Sequence, residues 1–231
     1  MKTVVVTGAN RGIGLGFCLY YLKTGWRVIA LSRIEPSFSE LDILTQEQES
    51  SFHYLEVDLN CEASISSLLA KTRLFTNSIE LLINNAGVAE HESFGQWTQQ
   101  AFMQSFLINA IAPALLIQTL SPLLAKSSKI IQLSSGLASC SQNLSPLEGF
   151  DGYSMSKAAV NMMTKRLSAK LSTKDVAVYA ISPGWVKTKM GGEEASSTVS
   201  EAVSELTSTI KSLTLDDSGT FLDESGRVIP W

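Results

Sequence analysis

The sequence predicts a doubly wound α/β fold: a parallel sheet of about seven strands with helices on both faces. Three observations carry that expectation. Short apolar runs rich in β-branched residues alternate with longer helical segments from residue 3 to residue 222. Most of these runs are apolar throughout rather than at every second position, the pattern of strands buried on both faces. The 231 residues include 45% hydrophobic and only 17% charged side chains, so there is apolar material to cover both faces of a sheet. Right-handed crossovers place the helices above and below such a sheet. No internal repeat or linker interrupts the pattern, and residues 1–231 read as one domain.

The first strand is 3–7 (TVVVT); the glycines after it open a helix over 14–24, which Gly25 ends. Residues 27–32 (RVIALS) are a second buried strand, followed by Pro36, several serines and a weak helix signal over 41–50. A third strand over 53–57 stops at Asp58. Residues 62–75 are helical, with Ile65, Leu68, Leu69 and Leu74 on helical spacing. Residues 80–83 form a short strand that stops at Asn84-Asn85. The stretch 93–125 contains no charged side chain and reads as a long helix over 100–124. Its length would span a bilayer. Gln99, Gln100, Gln104, Asn109 and Gln118 would be costly in lipid, so the expectation is a helix buried in protein, in the core or at a subunit contact. Residues 129–133 are the fifth strand, 153–171 a helix, and 176–181 a sixth strand broken by Pro183-Gly184. The region 191–218 is rich in serine, threonine and glutamate and holds a helix over 198–212; 220–222 is a last strand.

Charge and cysteine usage exclude several function classes. Eighteen basic against 22 acidic side chains give a net charge of −4, which speaks against general nucleic-acid binding. Three scattered cysteines, Cys18, Cys61 and Cys140, make neither a disulfide framework nor a metal site. They read as the reduced thiols of a cytoplasmic chain. Val4-Val5-Val6 is too short for the apolar stretch of a signal peptide.

In a doubly wound sheet, ligands sit beyond the carboxyl ends of the strands. The first such end carries Gly8-Ala9-Asn10-Arg11-Gly12-Ile13-Gly14 at the opening of a helix. Glycines there let backbone approach a pyrophosphate, and the helix terminus supplies N–H donors and partial positive charge. The spacing is G-x-x-x-G-x-G, and no Gly-Lys-Ser/Thr follows, so it is not a P-loop. The second strand ends Leu31-Ser32-Arg33 without the carboxylate that would hold a ribose 2′-hydroxyl. Arg33, with Arg11 beside it, suits a 2′-phosphate. NADP(H) is therefore favoured over NAD(H).

Tyr153 and Lys157 stand four residues apart at a helix start, which stacks them on one face. A nearby ammonium lowers the pKa of a phenol and lets it exchange a proton with a carbonyl or an alcohol. A serine at the end of the fifth strand, Ser134 or Ser135, could hold the same oxygen.

With TGANRGIG at 7–14, Asp58, NNAG at 84–87, Asn109, LSS at 133–135, YSMSK at 153–157 and SPGWVKTKM at 182–190, the chain resembles the short-chain dehydrogenase/reductase family over almost all its length. The resemblance implies a Rossmann-type fold and hydride transfer between a nicotinamide and a small carbonyl or alcohol substrate. It implies a catalytic Ser135, Tyr153 and Lys157, with Asn109 completing a proton relay. Tyr153 would be the general acid in reduction, Ser135 would polarise the carbonyl, and Lys157 would bind the nicotinamide ribose. The cofactor site would take in the glycine turn, Arg33, Asp58 and Leu59 near the adenine, and Asn85, Ala86 and Gly87 along the adenine ribose. Pro183, Gly184, Val186 and Thr188 would embrace the nicotinamide side. Distance from the strand favours Ser135 over Ser134, and Asn84 is read as a support of the central strands. The closing GRVIPW and the motif YSMSKAAVN look like the C-factor-like and Sniffer-like branch of carbonyl reductases, with NADPH as cofactor. That branch leaves a second reading open, a nucleotide-binding signalling protein with little need for turnover. Family resemblance also implies a homodimer through the uncharged helix and the Tyr153 helix. The segment between Ser135 and Tyr153 is longer than the family pattern, through residues 143–146, and the segment after Met190 is short.

Overall fold

A computed structural model describes residues 1–36, 45, 48, 50–142 and 149–231. Its seven strands are β1 (Thr3–Thr7), β2 (Arg27–Ser32), β3 (Phe52–Glu56), β4 (Ile79–Asn84), β5 (Leu124–Leu133), β6 (Ala177–Ile181) and β7 (Phe221–Leu222). They form one sheet in the order β3-β2-β1-β4-β5-β6-β7, and every pairing is parallel. The direction of winding reverses between β1 and β4, which opens a crevice beside the end of β1. This is the Rossmann-type α/β fold expected.

Successive side chains of a strand point to opposite faces, and both faces are covered. On one, Val4, Val6, Ile83, Ile131 and Tyr179 pack on Phe17 and Leu22 of α1 (Gly12–Lys23) and on Val203, Leu206 and Ile210 of a late helix. On the other, Val5, Ile29, Leu82, Ile130 and Val178 meet Ile65, Leu68, Leu116, Ile117 and Leu120. This division explains why the strands are apolar at consecutive positions.

Several expected boundaries move. α1 starts at Gly12, two residues early, and Gly25 follows its end with φ +77°. The segment expected as one helix over 62–75 is two short ones, α2 (Glu62–Ser66) and α3 (Leu68–Arg73). Leu74 lies outside both and is exposed. The weak helix signal over 41–50 falls largely outside the described residues.

The uncharged helix differs most. It runs as α4 (Gln99–Phe106), a π-helical turn (Leu107–Ile111), α5 (Ala112–Leu120) and a 3₁₀ turn (Ser121–Leu123). The chain then enters β5 at Leu124, five residues before the expected start. A π turn admits one extra residue and redirects the side chains around it; here it carries the buried Asn109. Gln99–Leu123 is long and apolar enough to cross a membrane, but half of its most apolar window is buried in the protein. The stretch still exposes Met103 and Ile111.

After β5, α6 (Asp151–Leu171) carries Tyr153 and Lys157, and α7 (Val199–Ser212) returns to the face of α1. α7 begins with a capping box, the Thr198 hydroxyl accepting from Glu201 N and the Glu201 carboxylate accepting from Thr198 N.

Candidate active site

A cleft of about 1160 Å³ opens beyond the carboxyl ends of the strands. Of the glycine turn, it is lined by Gly8, Asn10, Arg11, Gly12 and Ile13. Gly14 faces inward: a Cβ there would stand 2.2 Å from the Gly8 carbonyl oxygen. A Cβ on Gly8 would meet Ala86 and Asn85 at 3.0 Å. The turn is thus folded against the end of β4 with no room for a side chain at Gly8 or Gly14. α1 begins with no side-chain cap and no acid in its first turn, so its leading N–H groups suit an anion. These features fit a nucleotide diphosphate.

Asn85 and Ala86 have a role beyond lining the cleft. Both backbone N–H groups donate to Thr7 Oγ1 at 3.0 Å. Asn85 Nδ2 donates to the Thr7 carbonyl at 2.8 Å and to that of Gly8 at 3.3 Å. These bonds lock the glycine turn in place, and Gly87 lines the cleft beside them.

At the next strand ends, Arg33, Asp58 and Leu59 also line the cleft. Among the described residues the one ion pair is Arg227 with Asp223, so the exposed Arg11 and Arg33 enter the cleft without a salt bridge. Asp58 accepts from the backbone and side chain of Asn60 at 3.0 and 2.9 Å. Those bonds, helped by the Arg33 charge, hold its carboxyl below the usual range. At the tip of β2 the Ser32 hydroxyl turns back to the Ile34 carbonyl at 2.8 Å, and residues 31–34 carry no carboxylate.

Opposite the glycine turn, Pro183 and Thr188 line the cleft, whereas Gly184 and Val186 do not. Val186 is buried, and Gly184 lies against the Glu224 carboxylate. Lys187 and Lys189 also reach the cleft, as do Ser200 and Ser204 of α7. Reading the sequence missed these four. The lysines alternate with residues already singled out in VKTKM and could have been found there; the start of α7 reaches the site only through its packing on α1.

Tyr153 and Lys157 line the far end of the cleft, with the lysine ammonium 5.7 Å from the tyrosine ring centroid. Lys157 is 4% exposed and donates to the Leu133 carbonyl at 2.7 Å. Burial pushes its pKa from 10.5 down to about 8. Burial pushes the Tyr153 phenol up, against the smaller downward pull of its hydrogen bond to Ser135. This corrects the expectation that the lysine draws the phenol down. Desolvation, which spacing alone does not reveal, dominates for both groups. Phe150 packs edge-on against Tyr153, centroids 6.0 Å apart, and His91 against Phe150 at 4.4 Å, so the phenol has an aromatic wall beside it.

The two serines separate. Ser134 is 2% exposed, and its hydroxyl donates to Asn161 Oδ1 at 2.6 Å. Ser135 is half-buried, caps the turn Gly136–Ala138 by accepting from Leu137 N, and reaches the Tyr153 phenol. Although Ser134 rather than Ser135 touches the cleft wall, its hydroxyl is committed inward. Asn109 lies outside the cleft lining. Its amide clasps Val88, accepting from the N–H and donating to the carbonyl at 2.8 Å each, and donates to Ser156 Oγ at 2.9 Å. It therefore ties the end of β4 to the Tyr153 helix. Asn84 Nδ2 donates to Gln132 Oε1 at 2.8 Å across β4 and β5, the supporting part read for it. No group of three or more His, Cys, Asp or Glu gathers among the described residues. Cys18, Cys61 and Cys140 are all free.

Known proteins resemble this chain in sequence and fold. The model of the short chain dehydrogenase family matches residues 2–198. An L-xylulose reductase of Caenorhabditis elegans is 32% identical over 193 residues, 82% of this chain and 74% of that protein. The C-signal protein of Myxococcus xanthus is 31% identical over 163 residues, 69% of this chain and 97% of that one. An NADPH-bound carbonyl reductase from chicken fatty liver superposes with a TM-score of 0.91 at 33% identity, covering 100% of this chain and 99% of that one. The carbonyl reductase Sniffer of Drosophila melanogaster gives 0.92 at 29% identity over 100% of both chains. Glycine turn and tyrosine–lysine pair line one cleft, and with the family model matching residues 2–198 the chain belongs to the short chain dehydrogenase family.

Proposed function

We propose that the protein is an NADPH-dependent carbonyl reductase acting on small aldehydes or ketones. The observation that carries this is the Tyr153–Lys157 pair at the end of a cleft whose other end holds Arg11 and Arg33, neither in a salt bridge among the described residues, with no carboxylate at residues 31–34. Arg33 and Arg11 take the 2′-phosphate, the start of α1 the pyrophosphate, and Pro183 and Thr188 the nicotinamide side. When bound, the reduced nicotinamide supplies the hydride. Tyr153 gives its proton to the substrate oxygen, and Ser135 donates a hydrogen bond to that oxygen. The ammonium of Lys157 has three N–H groups; one is held by Leu133, leaving two for a ribose. Asn109 joins the site by fixing Val88 and the start of α6, with a relay through its backbone as its further part.

The proton inventory favours reduction. A phenol raised above its ordinary pKa keeps its proton at neutral pH, as a general acid must. Lys157 is charged below about pH 8 and neutral above it. With NADPH and a panel of aldehydes, ketones and quinones, kcat/KM for reduction is expected to be level below about pH 8 and to fall above it, since kcat/KM reports the free protein. A profile that rises through pH 8, or no turnover across the panel, contradicts the reading.

A specific likeness favours a second reading. The match to C-signal spans nearly all of that protein, and a signalling part resting on nucleotide binding would survive loss of the phenol. Met103, Ile111, Met155 and Met162 are exposed along the uncharged stretch and α6, a surface suited to pairing with a second copy. A monomeric mass in solution contradicts that pairing. A reduced, cytoplasmic setting suits the three free cysteines.

A further inference from the structure

We infer that Asn161 is a positioning residue for the reaction: acting through Ser134, it fixes the end of β5 so that Ser135 meets the Tyr153 phenol. The inference rests on the reading of Ser135, Tyr153 and Lys157 given above. Asn161 lies one turn beyond Lys157 and two beyond Tyr153 on α6, so the three side chains share a face. It is 3% exposed, and its Oδ1 accepts from Ser134 Oγ at 2.6 Å. Three consecutive residues at the end of β5 are thereby tied to α6. Leu133 is held by Lys157, Ser134 by Asn161, and Ser135 touches Tyr153. The first and third ties involve groups that the reaction itself engages. The middle tie does not, so it holds the strand end in place while Lys157 and Tyr153 turn to their ligands. From the other side, Ser134 N donates to the Ile181 carbonyl at 2.8 Å and Gly136 N to Ser182 Oγ at 3.1 Å.

Packing does not account for an asparagine at this point. Its Nδ2 is buried without a partner, as are Gln132 Nε2 and Asn84 Oδ1 on the neighbouring strands. Leaving an amide N–H unpaired in the interior is destabilising, and a leucine, which has the same branched shape, would carry no such unpaired group. The Ser134 bond is what the amide supplies. With the Ser134 side chain released, Ser135 keeps its own turn and the backbone bonds its neighbours make to Ile181 and Ser182 but loses the tie to α6, and a misplacement of a fraction of an ångström at a reacting group is costly.

The test uses Asn161→Leu and Ser134→Ala, singly and together, in the full chain. Each single variant is expected to lower kcat by about tenfold or more, with KM for NADPH within about twofold of the parent. The double variant is expected to fall no further than the worse single one, because both remove one bond. Folded single variants whose kcat stays within about twofold of the parent, or losses that multiply in the double variant, overturn the inference. If Asn161→Leu does not fold, Ser134→Ala, which removes the same bond without adding bulk, decides by the same kcat criterion. If the parent reduces no carbonyl, the functional reading fails, and the Tyr153 phenol decides instead, titrated by ultraviolet difference against Tyr153→Phe. Because the Ser135 hydrogen bond draws that phenol down, the variants are expected to titrate at higher pH, and an unchanged titration overturns the inference.

Discussion

A Tyr153→Phe protein is expected to keep its fold and its hold on NADPH and to lose carbonyl reduction, kcat falling by about 10²–10⁴-fold. The phenol is the group placed to supply a proton. It sits beside the Lys157 ammonium and Ser135, and its pKa is raised by burial. Phenylalanine fills the same volume, keeps the ring contact with Phe150 at 6.0 Å and removes only the hydroxyl. KM for NADPH is therefore expected to change little, which a cofactor titration beside the kinetics will check. A variant with full activity would remove Tyr153 from the chemistry and leave the serine and lysine without a proton donor between them. Undiminished signalling by the same variant in cells would favour the C-signal-like reading.

The second large effect is expected at Gly14. An alanine Cβ would stand 2.2 Å from the Gly8 carbonyl oxygen and 2.5 Å from Asn85 Nδ2. Neither neighbour is free to yield. Gly8 sits at φ +64°, in the left-handed region, and the Asn85 side chain is bonded to Thr7 and Gly8. Gly14→Ala must open the glycine turn, so we expect a loss of about 1–3 kcal/mol of stability from overpacking. An NADPH affinity weaker by about tenfold or more is expected with it, as the backbone N–H groups lose their alignment. Gly12→Ala is the internal comparison. It carries a left-handed φ of +55°, but the nearest atom to its Cβ is Thr188 Cγ2 at 3.5 Å, so it suffers backbone strain without the clash. Thermal unfolding and NADPH titration of the pair separate the two causes; equal effects would show that the close approach at Gly14 does not matter.

Much of this was legible in the sequence, for identifiable reasons. The strands could be read because burial on both faces makes them apolar at consecutive positions, and their ends because a glycine turn, Asp58, Asn85 and the serine pair mark them. Spacing alone placed Tyr153 and Lys157 on one face of a helix. The misses share a different cause: each depends on a partner distant in the chain. The π turn at Asn109 answers to Val88, 21 residues away. The pKa shifts of Tyr153 and Lys157 are set by burial that no local pattern shows. Distance from the strand favoured Ser135 over Ser134, but the bond that commits Ser134 inward, to Asn161 27 residues away, does not show in the sequence. Leu74 matched a helical spacing, yet the helix ends at Arg73 and leaves it exposed. The longer segment through 143–146 lies outside the described residues.

Hydride transfer from NADPH to a carbonyl carbon in this cleft, with Tyr153 supplying the proton, can be followed by isotope. It is tested most directly with NADPH deuterated at the hydride-donating carbon of its nicotinamide and a carbonyl taken from the panel, with the product analysed by mass spectrometry. The expected product is an alcohol that carries deuterium on the former carbonyl carbon, formed by the parent protein and almost absent with Tyr153→Phe. An alcohol without deuterium, or none formed although NADPH binds, would contradict it.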